Sequence, residues 1–355
     1  MRLPLLLLIL LSLVSPLYAQ EASPTHAVGA DFNGDGQGDV AVASSNGRVF
    51  LLLGQPNGSG LQTPQTHLVS GQPHDLIVAD FTGDGLPDLL CNTGNRLVLL
   101  PGDKAKGLSE ALALPTTFRQ IVSATVGDFN GDDIDDIAVA NWGPDLTVLL
   151  GRGDGTFLKP IVGRLPLDPF SVAAIDLDED GTDEIAVSLV GNRKVVWART
   201  TDGLLDLTGR LAFTGPIGYL TAGDFDGDGR DDLGAVGNDK FYLLTRKRGK
   251  LAEPTVHSAG HEALLQFVTA ADLNGDGRDE LLSTDLTSGR VVVPSGKPID
   301  DGVYAWRAGA FDLDGDGKAE ILIANVRHGT ITIIESALDH PLKTIYSVDP
   351  NKPDG

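Results

Sequence analysis

Residues 224–232 read DFDGDGRDD, a nine-residue window in which aspartates and glycines are interleaved. The same pattern begins at six other positions along the chain, namely Asp31, Asp80, Asp128, Asp176, Asp272 and Asp312. In chain order, the first aspartates of the seven windows are 49, 48, 48, 48, 48 and 40 residues apart. A pattern that recurs in register at such a period identifies an internal repeat, and a repeat of this length is the primary guide to the fold.

Each window is flanked by short apolar segments. Residues 171–175, for example, precede the fourth window and residues 185–190 follow it. Such short segments between glycines and aspartates are typical of strands, and they are too short for amphipathic helices. A further apolar segment follows at a fixed offset in every repeat, at residues 49–53, 97–100, 146–150, 195–198, 241–244, 291–293 and 331–334. Most repeats leave room for an outer strand, and four strands of about five residues fill one propeller blade.

The sequence therefore predicts an all-β fold, a seven-bladed β-propeller over residues 24–348 in which the windows are hairpin loops. Seven stacked blades close into a ring that has no long exposed edge. We expect each blade to consist of consecutive chain, without a swapped closing strand, because the first strand begins at Ala27 and no residues remain for an eighth blade after Val348. The shorter last spacing predicts that blade six has a short outer strand, or none, between Val293 and Val303.

Residues 1–19 have the features of a secretory signal peptide. A positively charged start is followed by an apolar run over residues 3–14 and by small residues up to Ala19, after which cleavage is expected. The run is shorter than the roughly 18 to 20 apolar residues of a membrane-spanning helix. The sequence thus predicts a soluble secreted or periplasmic protein, with residues 349–355 as a tail. Cys91 is the only cysteine, so an internal disulfide is excluded and bound metal is expected to stabilise the fold.

The acidic charge of the chain is concentrated in the repeat. The formal net charge is −22 at pH 7, and 30 of the 49 acidic residues lie inside the seven windows. Binding to nucleic acid or to an anionic membrane surface requires basic patches, so neither partner is expected. Bound cations would neutralise much of the charge in the windows.

The composition of the windows indicates calcium loops. Oxygen-bearing side chains at positions 1, 3, 5 and 9, with the backbone carbonyl of position 7, can surround a hard cation that takes six to eight oxygens at about 2.3 to 2.6 Å. Zinc and copper would require nitrogen or sulfur ligands. EF-hand modules need a helix and a glutamate at position 12, whereas here a strand begins at position 10, so that interpretation fails.

Up to seven calcium ions are predicted, one in each loop. The loops are not equal, because Thr82 gives the second loop a neutral ligand, Asp133 replaces a glycine in the third, and Glu179 replaces a glycine in the fourth. The predicted ligands, with position 7 contributing its carbonyl, are Asp31, Asn33, Asp35, Gln37 and Asp39; Asp80, Thr82, Asp84, Leu86 and Asp88; Asp128, Asn130, Asp132, Ile134 and Asp136; Asp176, Asp178, Asp180, Thr182 and Glu184; Asp224, Asp226, Asp228, Arg230 and Asp232; Asp272, Asn274, Asp276, Arg278 and Glu280; and Asp312, Asp314, Asp316, Lys318 and Glu320.

The seven windows, together with LTVLLGRGDGTF at residues 146–157, resemble FG-GAP or VCBS repeats, the blades of propellers similar to those of integrin α-subunits. The resemblance covers nearly all of the chain after the signal peptide, and it is specific because the motif recurs in register. It implies a propeller with calcium in hairpin loops on one face. It implies little about the ligand.

No catalytic motif accompanies the repeat, so the sequence favours a recognition module. The windows occupy one face of the ring, and the opposite face is expected to collect aromatic side chains and arginines, which often anchor interfaces. These residues are Trp142, Phe170, Tyr219, Phe267, Tyr304 and Trp306, with Arg119, Arg307 and Arg327 nearby. We therefore predict a monomeric, non-catalytic module that binds a protein or a glycan outside the cytoplasm or in the periplasm, for example in adhesion.

Two other interpretations stay open. The first is a polysaccharide lyase built on a calcium-loaded propeller, for which a base near the sugar-binding face is needed and His74, Arg119 and Tyr219 are the candidates. The second is a purely structural module. His257 and His261 are four residues apart beside Glu262, but we assign them to an ordinary connection between blades rather than to a metal site. Residues 57–59 match a glycosylation acceptor.

Overall fold

The computed structural model describes residues 23–56, 60–247, 249–260, 262–294, 298–299, 305–326, 328–335 and 343–348. These residues form strands and turns and contain no helix, hence none that is long and apolar enough to cross a membrane. Several sequence predictions lie outside the described residues, namely the signal peptide at residues 1–19, the glycosylation acceptor at 57–59, the tail at 349–355, and His261, Tyr304 and Arg327.

Seven small antiparallel sheets follow one another along the chain, and each is one blade. Blade one contains β1 (Pro24–Ala30), β2 (Asp39–Ser44), β3 (Arg48–Leu52) and β4 (Gln65–Leu68). Blade two contains β5 (Asp75–Ala79), β6 (Asp88–Asn92), β7 (Leu97–Leu100) and, after a small hairpin of β8 (Gly102–Asp103) and β9 (Gly107–Leu108), β10 (Leu112–Ala113). Blade three contains β11 (Ile121–Gly127), β12 (Asp136–Asn141), β13 (Asp145–Leu149) and β14 (Ile161–Arg164).

The remaining blades repeat this arrangement. Blade four contains β15 (Pro169–Ile175), β16 (Glu184–Leu189), β17 (Lys194–Thr201) and β18 (Leu204–Ala212). Blade five contains β19 (Leu220–Gly223), β20 (Asp232–Gly237), β21 (Lys240–Leu244) and β22 (Thr255–Ser258). Blade six contains β23 (Leu265–Ala271), β24 (Glu280–Asp285) and β25 (Arg290–Val292), and blade seven contains β26 (Arg307–Phe311), β27 (Glu320–Asn325), β28 (Thr330–Ile334) and β29 (Lys343–Ser347).

The strand pairing confirms the predicted blade count and closure. In each sheet the strands pair in chain order, except that in blade two β10 pairs with β7 across the β8–β9 hairpin. Strand β1 pairs with β2 of its own blade rather than with a strand of blade seven. Within the described residues blade six has three strands, followed by a single bridge between Val291 and Ile299, as the short spacing predicts. The first strands of neighbouring blades, such as β11 and β15 or β1 and β26, lie side by side and form the inner wall of the ring.

Apolar side chains pack between neighbouring blades and form the core. Phe32, Phe81 and Phe129, the second residues of the first three windows, are at most 2% exposed. Burying one such side chain stabilises the fold by about 1.5 to 3 kcal/mol. The junction of blades one and seven is closed in the same way, because Val42 of β2 and Ile333 of β28 belong to one buried cluster. In the part of the chain that the structure describes, burial of side chains therefore closes the ring without a shared strand.

Candidate functional site

All seven windows lie at the same end of the blades, in the hairpin between the first and second strands. We call them loops one to seven. In every loop the aspartate at position 1 organises the backbone, because its Oδ2 accepts the N–H of position 6. In loop five, Asp224 Oδ1 also accepts the amides of Gly227 at 2.7 Å and of Asp228 at 3.1 Å. The glycines at positions 4 and 6 take positive φ there, 78° at both Gly227 and Gly229, a conformation that costs glycine little.

The carboxylate at position 9 begins the second strand, and it is buried in every loop except loop six, where Glu280 is half-buried. Asp136, at 0% exposed, accepts the amide of Phe129 at 3.0 Å with one oxygen and the amide of Gly151 at 2.7 Å with the other. Burial, together with the nearby carboxylates of Asp132 and Asp128, raises the pKa of Asp136 to about 7. Burial and neighbouring aspartates likewise raise the pKa of the position 9 residue of loop seven, to about 7. Position 9 is thus both a candidate metal ligand and a support for the backbone of the loop.

Three loops gather three carboxylates closely enough to share one cation. Their ligand atoms lie within 4.8 Å of one another, in the sets Asp176, Asp178 and Glu184; Asp224, Asp226 and Asp232; and Asp312, Asp314 and Asp316. In loop five, Asp226 Oδ1 is buried and has no hydrogen-bond partner. A buried carboxylate oxygen without a donor calls for a cation. The oxygen-only donor set of loops five and seven fits calcium rather than zinc or copper.

The other loops differ from loops five and seven in their ligands. Loops one, three and six place Asn33, Asn130 and Asn274 at position 3, where an amide oxygen can also bind a hard cation. Thr82 of loop two directs its hydroxyl to Asp88, at 3.4 Å. Loop four has its full set of carboxylates, but the guanidinium of Arg199 lies among them.

The structure also shows loop residues that we did not include among the predicted ligands. Asp135, Asp183 and Asp279, at position 8, each accept the amide of the position 1 aspartate in the preceding loop, at 3.0 Å. Burial raises the pKa of Asp183 to about 6. The signal in the sequence is an aspartate at the eighth place of loops three to six. These side chains connect neighbouring loops rather than facing one cation.

Only the carbonyl of Arg230 was predicted to act in loop five, but the Arg230 side chain also contacts this loop. Its Nη2 lies 2.5 Å from Asp228 Oδ2, and its Nη1 lies 2.7 Å from Glu179 Oε1 of loop four. Arg230 therefore bridges two neighbouring loops.

On the opposite face, four aromatic rings form a continuous row. Phe170, Tyr219, Phe267 and Trp306 stand at the start of the first strands of blades four to seven, with successive ring centroids 4.9, 4.9 and 6.1 Å apart. Phe267 has a φ of 50° at a β-bulge, an arrangement that redirects a side chain. The Arg307 guanidinium lies 4.9 Å from the centre of the Phe267 ring, as a cation–π contact. We call these five residues the aromatic row.

The aromatic row continues into a buried polar cluster at blades one and two. Arg307 Nη2 lies 2.8 Å from Asp75 Oδ1. Although burial opposes the ionised form, the Arg307 charge lowers the pKa of Asp75 to about 2. His26 Nδ1 accepts the amide of Leu76 at 3.1 Å, and burial, with the nearby Arg307 charge, lowers the pKa of His26 to about 4. His26 is therefore neutral at pH 7, and the cluster joins blades one, two and seven.

The neutral state of His26 predicts a pH dependence of stability. An unfolded histidine has a pKa near 6.5, so between about pH 6.5 and 4 the unfolded chain binds the proton more tightly and the native state loses stability as the pH falls. We expect His26→Asn to remove this pH dependence of stability, because the asparagine amide oxygen can replace Nδ1 as the acceptor. Relative to the variant, the wild type should lose about 1 kcal/mol between pH 7 and 5.5. Urea denaturation in excess calcium measures the difference, and parallel pH profiles would contradict the assignment.

The other candidate residues predicted from the sequence differ in exposure and in position. Trp142, in the turn between β12 and β13, is 41% exposed. Burial raises the pKa of Tyr219 and lowers that of His74, so Tyr219 is poorly suited to act as a base at neutral pH. His257 was assigned to a connection between blades, but it lies in β22 and pairs with Phe241, because the outer strand of blade five includes that segment.

Comparisons with known proteins agree with this architecture. A family model described as FG-GAP-like repeat matches residues 31–91, 80–139, 128–187 and 224–283. No curated protein sequence matches the chain. The crystal structure of BBS1N in complex with ARL6DN, soaked with mercury, is similar at a TM-score of 0.60 and 13% identity, over 88% of this chain and 96% of that chain. A structure of an Agrocybe aegerita lectin that recognises non-reducing terminal N-acetylglucosamine is similar at a TM-score of 0.54 and 14% identity, over 92% of this chain and 86% of that chain. At these identities the similarity shows the fold.

Proposed function

Since the chain belongs to the FG-GAP-like repeat family, we propose that it is a non-catalytic recognition module, secreted or periplasmic, that binds a protein or a glycan. The observation that carries this proposal is the aromatic row, which includes Arg307 and lies on the face opposite the acidic loops. Aromatic and arginine side chains supply large contact area and directional hydrogen bonds, and they dominate the energetics of interfaces. Of the proteins that share the fold, one is in complex with ARL6DN and another recognises N-acetylglucosamine, which are partners of both proposed classes.

Calcium has a structural role in this proposal. In loop five the ligands would be the side chains of Asp224, Asp226, Asp228 and Asp232 and the carbonyl of Arg230. When bound, the ion supplies positive charge that offsets the repulsion of the carboxylates. The chain itself supplies the rest, because the position 1 side chain already holds the loop backbone in place.

We expect the exposed Trp142 to contribute to binding and little to stability. Trp142→Ala should change the free energy of unfolding by no more than about 0.5 kcal/mol, as surface substitutions usually do. The substitution should weaken partner binding by about 1 kcal/mol or more, because an indole that becomes buried in an interface is a common anchor. The measurement is binding to glycan and extracellular-protein arrays, followed by titration of the hits and a denaturation curve.

Leu207→Ala is the matched control for this experiment. Leu207 is 46% exposed on β18, an outer strand, and lies away from the proposed face. Leu207→Ala should leave both partner binding and the free energy of unfolding unchanged. Equal binding by wild type and Trp142→Ala would remove Trp142 from the interface, and the absence of any partner on the arrays would argue for a structural module instead.

A further inference from the structure

The predicted ligands of loop four are engaged by an arginine of the same blade. Arg199 lies in β17. Its Nη1 lies 3.3 Å from Asp178 Oδ2, its Nη2 lies 2.5 Å from Asp180 Oδ2, and its Nε lies 3.0 Å from Glu184 Oε1. These carboxylates occupy positions 3, 5 and 9, which are the positions that would bind calcium. The Arg199 side chain is 23% exposed and that of Glu184 is 5% exposed, so this contact is largely shielded from water. The side chains of Asp178 and Asp180 are 51% and 47% exposed, so their contacts with Arg199 lie at the surface of the loop.

The corresponding position differs in the five other blades in which the structure describes it. Arg199 follows Ala198, the strand partner of Ile185, which is the residue after position 9. By the same register, the residues at this place in blades one, two, three and five are uncharged, namely Leu53, Pro101, Leu150 and Thr245. Blade seven has Glu335 there, which lines one small cavity with Asp314 and Glu320. Among these six blades, blade four alone directs a cation at its own loop from this position.

Two further arginines support the same loop. Arg230 pairs with Glu179, which stands at a φ of 64° where other loops have glycine. Arg246 donates to the carbonyl oxygen of Asp176. Both come from blade five. Loop four is thus held by cationic side chains on its open side and on the side of the next blade.

We infer that loop four takes no calcium and that the Arg199 guanidinium serves as its built-in cation. A planar guanidinium has five N–H donors and can satisfy several carboxylate oxygens at once. A calcium ion would need the same oxygens and would be repelled by the guanidinium charge, so the two cations exclude each other. The inference rests on the proposal that other loops bind calcium, and its test is chosen so that the two can fail separately.

The test is the number of calcium ions bound per mature chain, measured by native mass spectrometry with calcium as the only added metal. Arg199→Leu, which introduces the residue found in blades one and three, should bind one ion more than the wild type. Asp180→Asn should leave the wild-type count unchanged and remove the additional ion from the Arg199→Leu protein. Arg210→Leu, which removes an exposed arginine from β18 of the same blade, should change nothing.

Two results would overturn the inference. The first is a wild-type count that falls by one in Asp180→Asn, and the second is a folded Arg199→Leu protein that binds no additional ion. If the wild type binds no calcium at all, the proposed role of calcium fails, and one ion gained in Arg199→Leu would still support the assignment of loop four.

A measurement on the wild type alone keeps the inference testable if Arg199→Leu does not fold. In hydrogen exchange, chelator should raise the exchange rates of the amides of loop five more than tenfold and those of loop four less than twofold. Equal acceleration in both loops would contradict the inference.

As a reciprocal test, Glu335→Arg should lower the calcium count by one by placing a guanidinium beside loop seven. An unchanged count in that variant would show that an arginine at this place does not exclude calcium.

Discussion

Transfer from millimolar calcium to excess chelator is expected to lower the melting temperature by more than about 10 °C, because several ions each stabilise the native state. A ligand at a hundredfold excess over its Kd contributes about 2.7 kcal/mol per site. Without the ion, carboxylates whose oxygens lie within 4.8 Å of one another in loops five and seven repel each other. Differential scanning calorimetry in both conditions gives the two temperatures.

Magnesium provides the control for this measurement. It prefers a smaller, octahedral shell and retains water ligands, so at equal concentration it should restore little of the lost stability. Identical melting in calcium and in chelator would show that the loops do not hold structural metal.

The second large effect is expected at Asp136, whose replacement should destabilise the protein with or without calcium. Asp136→Ala leaves the buried amides of Phe129 and Gly151 without an acceptor. Each unsatisfied buried group costs about 1 to 3 kcal/mol, so the free energy of unfolding should fall by about 3 kcal/mol or more even in chelator. Asp136→Asn, which keeps one acceptor oxygen, should fall between the alanine variant and the wild type. Urea denaturation in both conditions measures these values.

Asp132→Ala separates the two roles of the loop carboxylates. Asp132 is exposed at position 5 of the same loop and supports only local contacts, such as that with the amide of Ile134 at 3.0 Å. Its replacement should lower stability in calcium and have little effect in chelator. If Asp136→Ala behaved in the same manner, position 9 would be a ligand without a structural role.

The repeat and its spacing were sufficient to predict the blades, because hairpin loops and apolar segments are local features of the sequence. The short spacing before the last window likewise predicted that blade six has a short outer strand or none, and its described residues form three strands. The contacts of Arg199 and Arg230 with the loops could not be predicted in this way, because they depend on where long side chains point. The interblade contacts of Asp135, Asp183 and Asp279 depend on how neighbouring blades stack, which a window within one blade does not contain. The aromatic row was predicted as a set of residues, but its continuity also follows from stacking.

Among the described residues no strand is shared between blades, and this has a consequence for how such a chain can change over generations. Each blade is one uninterrupted segment, and the junction of blades one and seven is closed by buried side chains and by a backbone contact in which the Gly38 amide donates to the Leu313 carbonyl at 3.1 Å. Duplication or deletion of one segment of about 48 residues would therefore add or remove a whole unit without leaving a strand unpaired. In-frame recombination between homologous blades can thus exchange loop four, with its own arginine, for a loop of another kind in a single event.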